Sequence, residues 1–467
     1  MKDSIRPNFI NTIIYFYISI FIFLLLYTFY RAEIIHGGNQ LLYYYKYYLI
    51  FIFFIILWFL ILFFLNKKNK SILIIIASTL FFLLYFYETI NFYSPTLLKI
   101  SFIKSLNKEA LKKSQLGEKS KQDIINELKT SKGLDVVPTI FPKIFLKKNI
   151  IDSSDKNIFP LGGVSNTTTV FCKEGKEYSI YMSDRYGFNN PDNEWNNNEI
   201  VWLLIGDSFA QGSCVKQYEN FAGQIRLITK ESAISLGMSG NGPLIELASL
   251  KEYGYKKKPK IVLWFYFERN DLDDLRFEKH NSFLLQYLNK DFSQNLYEKQ
   301  KVIDKKLKQH IQIAESKLEQ ETTETDEYKD KFLSIKKIIR LQIVRDKMAL
   351  DRGLDYGIDP LFKKIMIDAK KFVNQWNGEL YFIYLPDKER YSNNKIKDDK
   401  YLNRSKIINI IKKLNIPIID IHKEFFIKEK DPISFFAYRI FGHYSPDGYH
   451  EISKVIIKKI KEERLNN

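Results

Sequence analysis

Cysteine and histidine are scarce in this chain of 467 residues: two cysteines, Cys172 and Cys214, and six histidines. Neither cysteine lies in a CxxC or another metal-ligand spacing, so a zinc site is unsupported and no metal or organic cofactor is implied. Basic residues outnumber acidic ones, 71 against 54, for a formal charge of +17. They lack the clustering with interleaved aromatics that marks a nucleic-acid or anionic-lipid stripe. Lysine is spread along the whole chain beside Glu and Asp, which reads as compositional bias, and no nucleic-acid partner is expected. The first apolar run lacks the short core and small-residue cleavage site of a secretory signal peptide, so it is expected to be retained.

What the sequence has is a block of long apolar runs at its amino end. Residues 9–30, 47–65 and 72–92 are each long enough to cross a hydrocarbon core of roughly 30 Å as a helix, with Glu88 the one charge, near the end of the third. None holds the cluster of ionisable groups that marks a transport pathway, so anchoring in a bilayer suffices as their role. The connector after the second run carries Lys67, Lys68 and Lys70. The positive-inside rule makes it cytoplasmic, against the weight of Lys99, Lys104, Lys108, Lys112 and Lys113 further on. Three spans then put the amino terminus inside and everything after about residue 93 outside an inner or plasma membrane.

Residues 1–93 are therefore read as a membrane anchor, 94–165 as a Lys- and Ser-rich spacer, and 166–467 as the folded domain. Residues 168–183 alternate apolar and polar positions around KEGKE, the pattern of a hairpin. Five continuous apolar runs follow: IVWLLIG (200–206), SAISLG (232–237), KIVLWFYF (260–267), ELYFIYLP (379–386) and IPIIDI (416–421). Strands that are apolar on both faces belong in a parallel sheet covered by helices. Segments between them, such as LFKKIMIDAKKFVNQW, have helical periodicity. The expected fold is a three-layer, doubly wound α/β sandwich of flavodoxin-like type. A charged insertion over about 276–350 is expected to be helical, with a first half sparse enough in apolar residues to be a solvated arm, a cap over the site or an exposed helix pair.

Ligands of such sheets bind beyond the carboxyl ends of the strands. Those ends read GDSFAQG (206–212), GMSGNGP (237–243) and ERND (268–271), and the last segment holds FGHYSPDGYH (441–450). A serine becomes a nucleophile on a tight turn, near a base, with donors aimed at the developing oxyanion. Alone, GDS reads equally well as a turn that caps the next helix through Ser208. Gly240 could equally serve a positive φ, and Asn270 could cap its turn.

Order and placement of the four blocks, over roughly residues 200–460, resemble the SGNH (GDSL-like) hydrolase family. The resemblance implies a catalytic Ser208, an oxyanion hole of the Ser208 and Gly240 backbone N–H groups with the Asn270 amide, and a histidine base. Glu268 stands where that family has glycine, and Arg269 precedes Asn270, so either the loop differs in geometry or Arg269 contacts an anionic substrate. Two histidines compete as base. His450 with Asp447 forms an Asp-x-x-His pattern, but SPDGYHEISKVIIKKI reads as a helix with Pro446 at its first position and Asp447 in its first turn. His443 lies in the loop before that helix, five residues ahead of Gly448, where the family's histidine is found, and is the preferred base. Ile440 occupies the usual place of the partner aspartate, leaving a Ser208–His443 dyad, a carboxylate from elsewhere such as Asp420 or Asp431, or no catalysis. His36, His280, His310 and His422 receive no role. In an oxidising compartment Cys172 and Cys214 could form one disulfide tying the segment before the sheet to the loop after Ser208; the sequence leaves this open.

The expected function is that of an esterase or O-acyltransferase acting on O-acyl esters, acetyl groups of an envelope polysaccharide above all. The alternative is a catalytically silent module that binds a glycan or organises an envelope complex.

Overall fold

The computed structural model describes residues 7–35, 41–106, 119–146, 158–175, 177–320, 338–339, 341, 344, 358–392 and 403–466. His36, residues 107–118 and 147–157 of the expected spacer, and most of the second half of the insertion lie outside these residues. The chain divides into two compact units, Met1–Lys112 with Glu321–Gly357, and Lys113–Gln320 with Ile358–Asn467.

Among the described residues the first unit has three long helices, Pro7–Phe29, Leu41–Phe64 and Lys67–Leu106. Their apolar stretches, Phe9–Ile34, Tyr44–Phe64 and Lys67–Asn91, are long and apolar enough to cross a membrane. Phe23, Phe53, Phe63 and Phe82 point outward, an arrangement costly in water and favourable in lipid. The first two helices join through Tyr17 stacked on Trp58 at 4.7 Å and Phe21 on Phe54 at 4.9 Å. Glu88, the charge in the third run, is buried and accepts the Val344 backbone N–H at 2.9 Å. Its carboxylate is thus met by protein and not by hydrocarbon, as a charge at that position requires.

The second unit is built on five parallel strands: β4 (Trp202–Ile205), β5 (Ala233–Ser235), β6 (Ile261–Phe267), β7 (Glu379–Leu385) and β8 (Ile418–Asp420). They come from the five apolar runs, in the order β5-β4-β6-β7-β8. Counted within the sheet this is 2-1-3-4-5, the flavodoxin-like doubly wound order, whose direction reverses between β4 and β6. Trp202 pairs with Ile261 and Ile205 with Trp264, and all seven residues of β6 pair with β7.

Alternate side chains leave opposite faces of a strand, and each face has its own core. Leu203, Ile205, Val262, Trp264 and Phe382 pack under the helices Pro243–Ser249, Pro360–Val373 and Arg404–Lys413. Trp202, Leu204, Leu263, Phe265 and Ile383 pack under Phe221–Thr229 and Pro446–Asn466. Each fully buried side chain of this size contributes about 1.5–3 kcal/mol, which is why the runs carry no polar alternation.

Three short strands form a second sheet. β1 (Val136–Pro138) runs parallel to β2 (Thr168–Val170), and β2 is antiparallel to β3 (Ile180–Met182). The hairpin over 168–183 is present. The stretch expected as a spacer behaves differently from 119 onward. Its helix Lys121–Lys132 starts with a Ser120–Asp123 capping box and ends at Gly133 in the left-handed region. Val137, Ile140 and Phe145 then enter the main core. The insertion also differs from a solvated arm, because Leu284, Tyr287, Leu296, Ile303 and Leu307 are fully buried in the same core.

Candidate active site

β4 delivers its chain end to the reversal point of the sheet, and Gly206 lets it pass closely: a Cβ there would lie 2.9 Å from the Ala210 Cβ and 3.0 Å from that of Phe265. The helix Ser208–Gln211 begins at once. Asp207 caps it, its Oδ1 accepting the Phe209 N–H at 2.9 Å. The capping task therefore falls to Asp207, and the Ser208 hydroxyl is left for other partners. Burial pushes the Asp207 carboxyl up, against the Phe209 hydrogen bond that favours its charge.

Ser208 Oγ lies 2.9 Å from His443 Nε2 and 3.3 Å from Asp207 Oδ2. On the other side of the imidazole, His443 Nδ1 is 2.6 Å from Glu174 Oε1. The histidine loop is clamped beside the pair. Phe436 and Tyr444 form an antiparallel bridge, the Ala437 N–H donates to the His443 carbonyl at 2.9 Å, and the ring packs on Phe209 with centroids 5.0 Å apart.

Gly240 follows β5 with φ +76°, a conformation that favours glycine, and a Cβ there would lie 2.9 Å from the Lys143 Cδ. Its loop is fixed to the nucleophile helix by Gln211, whose Oε1 accepts both the N–H and the hydroxyl of Ser239 at 2.8 Å. Asn270 precedes the helix Asp271–Glu278 without capping it. Its Nδ2 donates instead to Asp207 Oδ2 at 3.2 Å and Asp274 Oδ2 at 2.9 Å. Asp274 in turn is ion-paired with Lys143. The Ser208 N–H, at the first position of its helix, has no carbonyl one turn earlier in that helix to bond.

The lower-ranked residues lie in other interactions. His450 is inside the last helix, with Nδ1 2.7 Å from Gln224 Oε1, and Asp447 is exposed in the first turn. Asp420 is paired with Arg404 and caps the short helix after β8. Asp431 is paired with Arg439 at 2.6 Å. Glu268, in the place of the family's glycine, is buried and accepts from Arg390 Nη2 at 2.5 Å, Tyr384 Oη at 2.5 Å and the Asp387 N–H at 2.6 Å. It ties the ends of β6 and β7 together. Arg269 pairs with Asp387 at 2.8 Å.

Two residues beside this constellation escaped the sequence reading. Glu174 sits in the KEGKE turn and Lys143 in the supposed spacer. No feature of the sequence alone marked Glu174; in the structure Cys172 is bonded to Cys214 with Cα atoms 5.1 Å apart. That bond takes the disulfide of the two alternatives and brings the turn against the loop after Ser208.

Fold and site together define a doubly wound parallel α/β sandwich with a hydroxyl–imidazole–carboxylate row at its reversal point. The sequence matches no protein-family model and no curated protein. Among solved structures it is similar to a lipase/acylhydrolase from Enterococcus faecalis, with 14% identity over 56% of this chain and 96% of that one and a TM-score of 0.31. It is also similar to an acetyl xylan esterase, AlAXEase, with 14% identity over 56% of this chain and 100% of that one and a TM-score of 0.29.

Proposed function

We propose that the second unit is an SGNH-type serine esterase or O-acyltransferase that works through an acyl-enzyme on Ser208. The observation that carries the reading is the 2.9 Å contact between His443 Nε2 and Ser208 Oγ at the carboxyl end of β4. Helix capping does not explain it, since Asp207 caps that helix.

In this reading Ser208 Oγ attacks an ester carbonyl carbon while its proton passes to His443 Nε2. The carbonyl oxygen becomes an oxyanion facing the Ser208 and Gly240 N–H groups. Collapse of the tetrahedral species breaks the ester C–O bond, and His443 returns the proton to the departing alcohol. Water or an acceptor hydroxyl then gives its proton to His443, attacks the acyl carbon and releases Ser208. Asn270 joins the oxyanion donors by giving up one of its two carboxylate partners. A single donor of this kind is worth about 10²–10³ in rate.

We assign the acyl group as acetyl and its carrier as an envelope polysaccharide, with the unit on the outer side of the membrane. The lysines at 67, 68 and 70 support that side, and so does a Cys172–Cys214 disulfide, which persists in an oxidising compartment. Glu174 beside His443 removes the main ground for a silent binding module, namely a histidine without a carboxylate.

Burst kinetics with p-nitrophenyl acetate test the mechanism in the full-length chain in detergent. A burst of one p-nitrophenolate per chain, absent from Ser208→Ala and His443→Ala, is expected. Equal slow release from all three proteins would overturn the reading.

A further inference from the structure

The acid missing at position 440 has a replacement outside the parallel-sheet framework. Glu174 belongs to the turn that follows β2, 269 residues from His443, yet its Oε1 lies 2.6 Å from the imidazole Nδ1. The Glu174 side chain is 14% exposed, and its Oε2 is buried with no partner among the described residues. A partly buried carboxylate held on one bond to a ring nitrogen is placed to orient that ring.

Several ties hold the turn in place. On the β3 side, Ser179 Oγ donates to the Val215 carbonyl at 2.6 Å and Gln211 Nε2 donates to Tyr181 Oη at 3.3 Å. On the side that leads into Glu174 the tie is covalent: Cys172, two residues earlier, is bonded to Cys214, six residues after Ser208. From the histidine loop, the Tyr438 ring closes over Gly175, where a Cβ would meet its Cε2 at 2.7 Å. Nucleophile loop, acid turn and histidine loop are thus locked to one another at the site.

We propose that Glu174 is the positioning carboxylate of His443 and that the Cys172–Cys214 disulfide holds it there, so that turnover depends on the oxidised state of that bond. The proposal rests on the serine-esterase reading above. With the Nδ1 proton donated to Glu174, Nε2 presents its lone pair to the Ser208 hydroxyl, and the imidazolium formed during attack is stabilised by the carboxylate. Reducing the disulfide with a phosphine gives two thiols, while phosphorus takes up one oxygen from water. The acid turn is then released on its Cys172 side.

The test uses the full-length chain in detergent with p-nitrophenyl acetate, in wild type, Glu174→Gln, Glu174→Asp, Cys172→Ala/Cys214→Ala, and Ser208→Ala as the blank. Glu174→Gln is expected to lower kcat by at least about tenfold, toward the roughly 10⁴-fold loss known when a triad loses its acid. KM should stay within about threefold, and Glu174→Asp should recover part of kcat. Wild type reduced under argon to two free thiols should lose at least about threefold in kcat, whereas the double cysteine variant should not respond to the phosphine. A Glu174→Gln loss that is smaller, or carried by KM, overturns the role of Glu174. Reduction without that fall overturns the role of the disulfide. Wild type no faster than Ser208→Ala would overturn the esterase reading itself, and the proposal with it.

Discussion

Asn270 stands between two carboxylates, its Nδ2 at 3.2 Å from Asp207 Oδ2 and 2.9 Å from Asp274 Oδ2, so both amide hydrogens are engaged in the resting site. In the proposed reaction an oxyanion displaces one of them, and the Lys143–Asp274 ion pair makes Asp274 a weaker competitor by neutralising part of its charge. Asn270→Ala is expected to lower kcat for p-nitrophenyl acetate by about 10²–10³ with little change in KM. Steady-state kinetics showing a loss below about threefold would remove Asn270 from the oxyanion site.

The two histidines separate cleanly. His443→Ala removes the partner of Ser208 and should leave only residual turnover, whereas His450 bonds Gln224 across two helices. His450→Ala should keep kcat within about threefold and cost at most about 0.5–1.5 kcal/mol of stability, the scale of one hydrogen bond. Kinetics and denaturant unfolding of the two variants check both statements.

Glu246 is expected to make the stability of the second unit depend on pH. Its side chain is fully buried with neither carboxyl oxygen partnered among the described residues, and burial, reinforced by Asp271 and Asp207, pushes its carboxyl well above the usual range. An acid raised on folding contributes stability that is complete below its unfolded value and is lost as pH rises toward its folded value. Glu246→Gln keeps the neutral form at every pH. The difference in Tm between Glu246→Gln and wild type should therefore grow in favour of the variant between pH 5 and pH 8. A gap that stays constant or narrows would show that Glu246 is ionised in the folded chain.

Phe145 tests whether the region upstream of the hairpin belongs to the folded unit. It is buried, with Phe159 edge-on at 6.3 Å and His310 at 5.6 Å. Phe145→Ala should cost about 3–5 kcal/mol, the range for deleting a core aromatic. Unfolding by urea that shifts by less than about 1 kcal/mol would return this stretch to the status of a linker.

The five strands were legible because a parallel strand buried on both faces leaves a continuous apolar run, and β4 to β8 each did so. The candidate site was legible in so far as Ser208, Gly240 and Asn270 each follow the end of such a run. The placing of His443 near Ser208 was legible from its position before a helix whose start Pro446 announces. Glu174 was not legible, since KEGKE has the composition of a solvated turn and its meeting with His443 depends on a pairing between positions 172 and 214. Lys143 was hidden for a related reason: in PKIFL only Ile144, Phe145 and Leu146 carry an apolar signal, too short to show that the segment joins the core. In the insertion, Ile303, Leu307 and Ile311 do stand at the spacing of one helical face, but the Asp, Lys, Gln and His residues between them gave the segment the composition of a solvated helix.

Activation of Ser208 as a nucleophile by His443 underlies the proposed chemistry. Its most direct test is the reaction of the full-length chain in detergent with a fluorophosphonate, followed by intact-mass measurement. One phosphonyl adduct on wild type, located to Ser208 and absent from Ser208→Ala and His443→Ala, is the predicted result. A folded wild type that gains no mass, or an adduct that survives Ser208→Ala, would contradict it.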